Sequence, residues 1–145
     1  MQPRRRARGH AIITLYEVDC VGHDPDDVLN RHLEGTALSP PTIQFTRDLV
    51  RGVLASKDQI DKVIARHAPE WPVDQMAIID RNVLRIAIFE LAIDQDTPVK
   101  VAINEAVELA KLYGSDSSAR FVNGVLGTLM DRLAEIRRQL QISRT

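Results

Sequence analysis

A single cysteine, Cys20, is all the chain has, so no disulfide can form within it. Such sparing use of thiols fits a reducing cytoplasm. Aromatic residues are also scarce, with one Trp, two Tyr and three Phe making up 4% of 145 residues. No apolar run approaches the roughly 20 residues that a membrane-spanning helix needs. The basic first residues do not lead into the long apolar stretch of a secretory signal. Instead, Ala11-Ile12-Ile13-Thr14-Leu15-Tyr16 runs straight into Glu17 and Asp19. The seven glycines are scattered at 9, 22, 35, 52, 114, 124 and 127, which leaves no loop able to cradle a phosphate. The four histidines (His10, His23, His32 and His67) lack the spacing of metal ligands, and there is no Gly-x-Ser-x-Gly element. Carboxylates are plentiful, but most fall on what should be exposed helix faces. No catalytic group, metal or cofactor is therefore assigned, and a non-enzyme is expected.

What is present is an uneven distribution of charge. Arg4, Arg5, Arg6 and Arg8 crowd the first eight residues of a chain with 19 basic and 20 acidic side chains. Removing those four positive charges from the net of -1 leaves -5 for the remainder. A positive tip on a mildly acidic body suits local contact with a polyanion and excludes bulk cationic coating of nucleic acid.

Helical spacing dominates, and no period-2 strand stands out. A first helix is predicted from about Arg4 to Cys20, with Ala7, Ala11, Leu15 and Val18 as its apolar stripe and Gly22 as its stop. Arg4 and Arg8 point nearly the same way as Ala11 and Leu15. Four arginines around a core-facing stripe cannot all be buried. Residues 1–10 are therefore expected to project or fray as a basic arm, and residues 141–145 to form a loose tail. Further helices are predicted over about 24–34, 41–55 and 60–67. Pro69 and Pro72 then punctuate the chain around Trp71. Met76 to Ile93 is apolar nearly all round and so reads as a central buried helix. Thr97 as cap and Pro98 at the first position start the next helix, which should bury Val99, Ile103, Ala106, Val107, Ala110 and Tyr113. Ser115 to Ser118 offer caps for a last helix with Val122, Leu126, Leu129, Leu133, Ile136 and Leu140 as its stripe. This makes about seven helices in one all-α unit spanning 1–145. Asn104 and Glu105 are read as buried hydrogen-bonding residues, and Gly124 and Gly127 as sites of close helix approach.

Three blocks in the second half carry a resemblance. They are Ile79-Asp80-Arg81-Asn82-Val83-Leu84-Arg85-Ile86-Ala87-Ile88-Phe89-Glu90-Leu91, then Pro98-Val99-Lys100-Val101-Ala102-Ile103-Asn104-Glu105-Ala106-Val107-Glu108-Leu109-Ala110-Lys111, then Phe121-Val122-Asn123-Gly124-Val125-Leu126. In this order they closely resemble the bacterial transcription antitermination factor family NusB, as does the arginine-rich start followed by Leu15-Tyr16. The resemblance covers nearly the whole chain and is weakest from Gly22 to Pro41 and around Trp71. It implies two packed helical subdomains and no catalysis. It also implies pairing with NusE, a protein of the small ribosomal subunit. The pair would bind single-stranded boxA RNA of nascent ribosomal RNA transcripts within the RNA polymerase antitermination complex. Self-association as a homodimer is a further possibility in this family.

Residue by residue, Arg4, Arg5, Arg6 and Arg8 match the family's RNA-binding arginine segment, and guanidinium groups suit both phosphate and base. The plain alternative is a solvated basic tail. Gln2 is neutral where relatives often carry a basic residue. Tyr113, Arg120 and Phe121 flank the loop that holds Asp116, where relatives place stacking aromatics and two acidic residues; here Ser117 replaces the second acid. Tyr113 also lies on its helix's apolar stripe, so core packing fits it equally. Tyr16 matches an aromatic near the RNA path, with burial beneath the arm as the equal alternative. Asp80 is the best candidate for contact with NusE, with Arg81 beside it, whereas Arg85 and Glu90 are expected to pair within the chain. Two rival readings remain. One is an RNA-binding module related to those that precede RNA cytosine methyltransferase domains, which would need a cofactor-binding α/β domain. The other is a helical protein-interaction module that never touches RNA.

Overall fold

Prolines, more often than side-chain caps, set the helix starts. The computed structural model describes residues 2–144, with side chains through Gln141. Three of its helices, α1 (Pro3–Val21), α2 (Pro25–Leu33) and α3 (Pro40–His67), open on a proline. The fixed φ of proline suits the first helical position, and its missing N–H costs nothing there. Only α2 adds a capping bond, in which the Asp27 N–H donates to the Asp24 carboxylate at 3.1 Å. Gly22 ends α1 in the left-handed region at φ 73° and returns its N–H to the Val18 carbonyl at 2.9 Å. A Cβ there would be strained by the backbone alone.

The remaining helices are α4 (Ile78–Ile88), α5 (Val99–Tyr113), α6 (Ser118–Met130) and α7 (Leu133–Arg144). A short 3-10 turn, Val73–Gln75, precedes α4, and a π-helical turn, Phe89–Asp94, extends it. No strand occurs among the described residues. The all-α class and the number of helices match the sequence reading, but several boundaries do not. The two segments predicted over 41–55 and 60–67 are one helix of 28 residues. Nothing between Ala55 and Ile60 breaks a helix, and Ser56 turns inward. The last predicted helix is two, because the chain turns at Asp131–Arg132 before α7. The predicted loose tail is helical through Arg144, and Thr145 lies outside the described residues. Thr97 does not cap α5. Its hydroxyl is buried with no hydrogen-bond partner among the described residues, and Pro98 occupies the cap position.

Helices α1 to α3 pack together, and α4, α5 and α6 form a second group, with α1 lying against α4 and α5 and α7 seated on the π turn and α3. As expected of a helix apolar on all sides, α4 is central: every residue from Asn82 to Ile88 is buried. The π turn widens the helix so that Glu90, Leu91 and Ala92 stay buried in succession. It closes with the Gln95 N–H on the Glu90 carbonyl at 3.1 Å. Gly52 of α3 lies directly beneath the Phe89 ring, where a Cβ would overlap the ring, so α3 reaches the π turn at that point only because the residue is glycine. By contrast, Gly124 and Gly127 face open space and permit no close approach within the chain. Asn104 is likewise exposed, not buried.

An ionic network joins three helices. Asp19 on α1 accepts two bonds of 2.7 Å from Arg81, one of 2.9 Å from Asn82 and one of 3.0 Å from Arg85. Arg85 also forks onto Asp61 of α3, with both bonds at 2.9 Å. Burial alone would raise the Asp19 carboxyl, but the bonds from Arg81 and Asn82 and the positive charges outweigh it and hold its pKa at about 2. A depressed carboxyl contributes stability above its unfolded value, and that contribution disappears as pH falls through the folded one. We therefore expect Asp19 to sustain stability above about pH 4 and to lose that effect towards pH 2. Thermal melting of wild type and Asp19→Asn across pH 2 to 5 checks this. The variant should melt lower at pH 5 and converge on wild type at pH 2; parallel curves would contradict it.

Candidate nucleic-acid interface

The arginine tip is not a frayed arm. Helix α1 begins at Pro3, and its first turns dock on the rest of the chain, which overturns the expectation that residues 1–10 project past the core. The reason is a set of partners distant in sequence. Arg8 is buried, and its Nε lies 3.0 and 3.2 Å from the two carboxylate oxygens of Glu90 in the π turn. Their side chains are 4% and 1% exposed, so this pair is closed to solvent. Burial pushes the Glu90 carboxyl above its ordinary range, and Arg8 draws it only part of the way back. Arg5 is bidentate on Glu105 of α5, with Nε to Oε2 at 3.1 Å and Nη2 to Oε1 at 2.9 Å. Glu105 thus fixes helix packing as predicted, though from a half-buried position. Arg4 is exposed, with its guanidinium 4.7 Å from the centre of the Phe45 ring. Arg6 is half-buried and forms no ion pair among the described residues.

The aromatic candidates fall in two places. Tyr113, at the end of α5, is 38% exposed, so the buried stripe of α5 is rotated away from it onto Ala102, Ala106, Leu109 and Ala110. Its hydroxyl lies over Gly9 of α1, where an added Cβ would come within 2.5 Å. Arg5 meets Glu105 and Gly9 meets Tyr113, so α1 and α5 run side by side in the same sense. Tyr16 is 40% exposed and therefore not buried beneath the arm. Arg5, Gly9 and Tyr16 share one face of α1 at intervals of four and seven residues, a line of about 16 Å from Arg5 to Tyr16.

Phe121 is half-buried and meets Trp71 edge to face, with ring centres 6.2 Å apart and planes at 89°. Both line a cavity of about 570 Å³ together with Ser117, Arg120 and Asp80. Arg120 is exposed and forms no ion pair among the described residues, and Asp116 is exposed in the loop before α6. Asp80 is only 7% exposed, and its Oδ1 has no hydrogen-bond partner among the described residues. The structure thus brings Asp80, expected to face a protein, into the same cavity as Arg120 and Phe121, expected to face RNA. Arg81 is not beside it. It is drawn into the Asp19 network and is only 17% exposed. Arg85 and Glu90 pair within the chain, as expected.

The sequence reading took Pro69 and Pro72 as punctuation around Trp71 and missed the tryptophan as a wall of this cavity. The only tryptophan in an aromatic-poor chain was the available signal. No group of three His, Cys, Asp or Glu side chains able to hold a metal occurs among the described residues. None of the described helices is long and apolar enough to cross a membrane.

Comparison with known proteins identifies relatives in sequence and in fold. The profile of the NusB family matches residues 5–131. A transcription antitermination protein NusB from Roseiflexus sp. strain RS-1 is 50% identical over 137 residues, covering 93% of this chain and 96% of that protein. One from Dehalococcoides mccartyi is 48% identical over 136 residues, covering 94% and 95%. Among solved structures, T. maritima NusB superposes with a TM-score of 0.79 at 32% identity over 95% of this chain and 92% of that one. A crystal structure of the antitermination factors NusB and NusE in complex with double-stranded RNA contains a chain similar at TM-score 0.78 and 25% identity, covering 95% and 98%. The chain belongs to the NusB family.

Proposed function

We propose that the chain is a transcription antitermination factor. It binds single-stranded boxA-type RNA of nascent ribosomal RNA transcripts together with NusE, supporting processive transcription and ribosomal RNA maturation. The observation that carries this reading is the line of groups left open to solvent along α1 and α5. Tyr16 and Tyr113 lie along it, Arg4 and Arg6 flank it on opposite sides of α1, and Asp116, Arg120 and Phe121 lie across the following loop. Guanidinium groups neutralise phosphates, and accessible rings stack on unpaired bases. A related chain solved with NusE and RNA supports the choice of partners. Asp80, buried beside Arg120 with an unsatisfied oxygen, is the residue we assign to the NusE side of the site. The whole of 1–145 acts as one RNA-binding domain without a cofactor or a reaction of its own, at the cytoplasmic site of transcription.

Arg8 leaves the set of RNA contacts in this reading, since its guanidinium is buried against Glu90. Its part is to hold α1 down so that Arg4 and Arg6 are presented in a fixed direction. Fluorescence anisotropy with a labelled boxA-like single strand tests the proposal. Binding should tighten when NusE is added and weaken when Arg4 and Arg6 are replaced together by Gln. Affinity indifferent to both changes would refute it.

A further inference from the structure

The fork of Arg5 is already occupied. Its two donors meet both oxygens of Glu105, the same two-point geometry that a phosphate would offer. This pair differs from Arg8–Glu90 in one decisive respect. Arg8 and Glu90 are sealed, whereas the Arg5 side chain is 38% exposed and Glu105 is 14% exposed. A strand laid along α1 therefore reaches Arg5 without unfolding anything. Arg5 also lies one helical turn, about 6 Å, from Gly9 and the Tyr113 ring that covers it. Arg4 and Arg6, on either side of it, form no ion pair among the described residues, although Arg4 shares a cleft with Asp94 and acts on its charge.

We infer that Glu105 is a specificity-determining residue that withholds Arg5 from single-stranded RNA bound only through its backbone. This inference rests on the RNA-binding role proposed above. A strand held by phosphate contacts alone gains little by displacing a bidentate carboxylate, because one anion replaces another at the same fork. A strand that also seats bases on Tyr113 and beyond the loop is held against α1 for longer and at a fixed register, and it completes the exchange. Glu105 thus lowers affinity for arbitrary strands more than for the proper one. It does so without occupying any base-binding surface.

The test uses the full chain and measures binding of two labelled strands, a boxA-like sequence and a uridine homopolymer of equal length, between about 50 and 200 mM salt. Glu105→Gln keeps the shape of the side chain and removes its charge. For the homopolymer, it should tighten binding and steepen the salt slope of log K by about 0.7, the value for one added phosphate contact on a single strand. That steepening enlarges the loss of affinity across this salt range by roughly 2.5-fold. The boxA-like strand should gain less, so discrimination between the two falls. Arg5→Gln alone should leave the homopolymer slope unchanged, and combined with Glu105→Gln it should abolish the gain.

Three results would overturn the inference. One is an unchanged homopolymer slope in Glu105→Gln while replacement of Arg4 and Arg6 still weakens binding; RNA binding then stands and only the role of Glu105 falls. Another is an equal gain with Arg5 already replaced, which shows a general charge effect instead of release of one fork. The third is no binding of either strand by wild type, in which case the proposed function fails and this inference with it. Circular dichroism of each variant confirms that helix content is retained before binding is compared.

Discussion

Replacing Arg8 by Ala should cost about 3–5 kcal/mol of folding stability, the range for breaking a sealed ion pair. Glu90 is 1% exposed, and Arg8 is its only ion-pair partner among the described residues. Without the guanidinium, its carboxyl must either stay charged in the interior or take up a proton. Burial already pushes Glu90 towards the protonated form, so neutralisation is the outcome that costs less. A carboxyl whose folded value is raised loses stability as pH climbs through that value, because the unfolded chain ionises first. The deficit of Arg8→Ala should therefore grow from pH 5 to pH 8. Exchanging both partners, Arg8→Met with Glu90→Leu, should restore most of the loss, since an apolar pair of similar volume leaves no charge stranded. Urea denaturation of the two variants at several pH values provides the measurement. A single-variant loss below about 1 kcal/mol would show that the pair behaves like a surface contact. RNA affinity should be compared per folded molecule, so that a stability defect is not mistaken for a lost contact.

Removing the rings of Tyr113 and Phe121 should have the second large effect, this time on RNA binding. A base stacked on an aromatic side chain is worth about 1–3 kcal/mol, so each Ala substitution should weaken binding of a boxA-like strand by roughly 5- to 150-fold. The two positions differ in what else they do. Tyr113 is 38% exposed and touches α1 through its hydroxyl over Gly9, so Tyr113→Ala should leave folding nearly unchanged. Phe121 packs edge-on against Trp71, so Phe121→Ala loses packing as well. Phe121→Leu separates the two effects, because it keeps apolar volume while removing the flat face. The expected pattern is wild-type melting with reduced affinity for Tyr113→Ala, and reduced affinity for Phe121→Leu with a modest change in melting. Wild-type affinity in both would take the aromatic groups off the RNA path.

The class of fold was readable because helical periodicity is a local property, and α4 announced its central place by having no polar face. The number of helices agreed only because two errors offset each other. The segment at 56–59 is polar, yet a helix needs only the absence of breakers, and α3 runs through. The turn at Asp131–Arg132 carries neither Gly nor Pro and left no mark. The π turn was invisible for a related reason, since its added residue shifts a register that periodicity treats as constant. At the site, the types of residue were legible and their states were not. Arg5, Arg6 and Arg8 look alike in sequence, but one is forked on Glu105, one is unpaired among the described residues and one is sealed on Glu90. What separates them is partners up to 100 positions away, and no local pattern encodes those. Tyr113 fits core and RNA contact equally in sequence because α5 carries apolar residues on more than one face, and the folded chain buries a different face.

The distances in sequence have a consequence for synthesis. The first helix leaves the ribosome early, yet its ionic partners come 62, 82 and 100 residues later. Until Arg81, Glu90 and Glu105 have emerged, Arg5, Arg8 and Asp19 lack their ionic partners, and the growing chain carries an unpaired cationic tip. Closure of so many remote contacts is a slow, late event in assembly. An incomplete translation product that stops before Glu90 can pack its first helix on α2 and α3 but leaves Arg5 and Arg8 without their carboxylates.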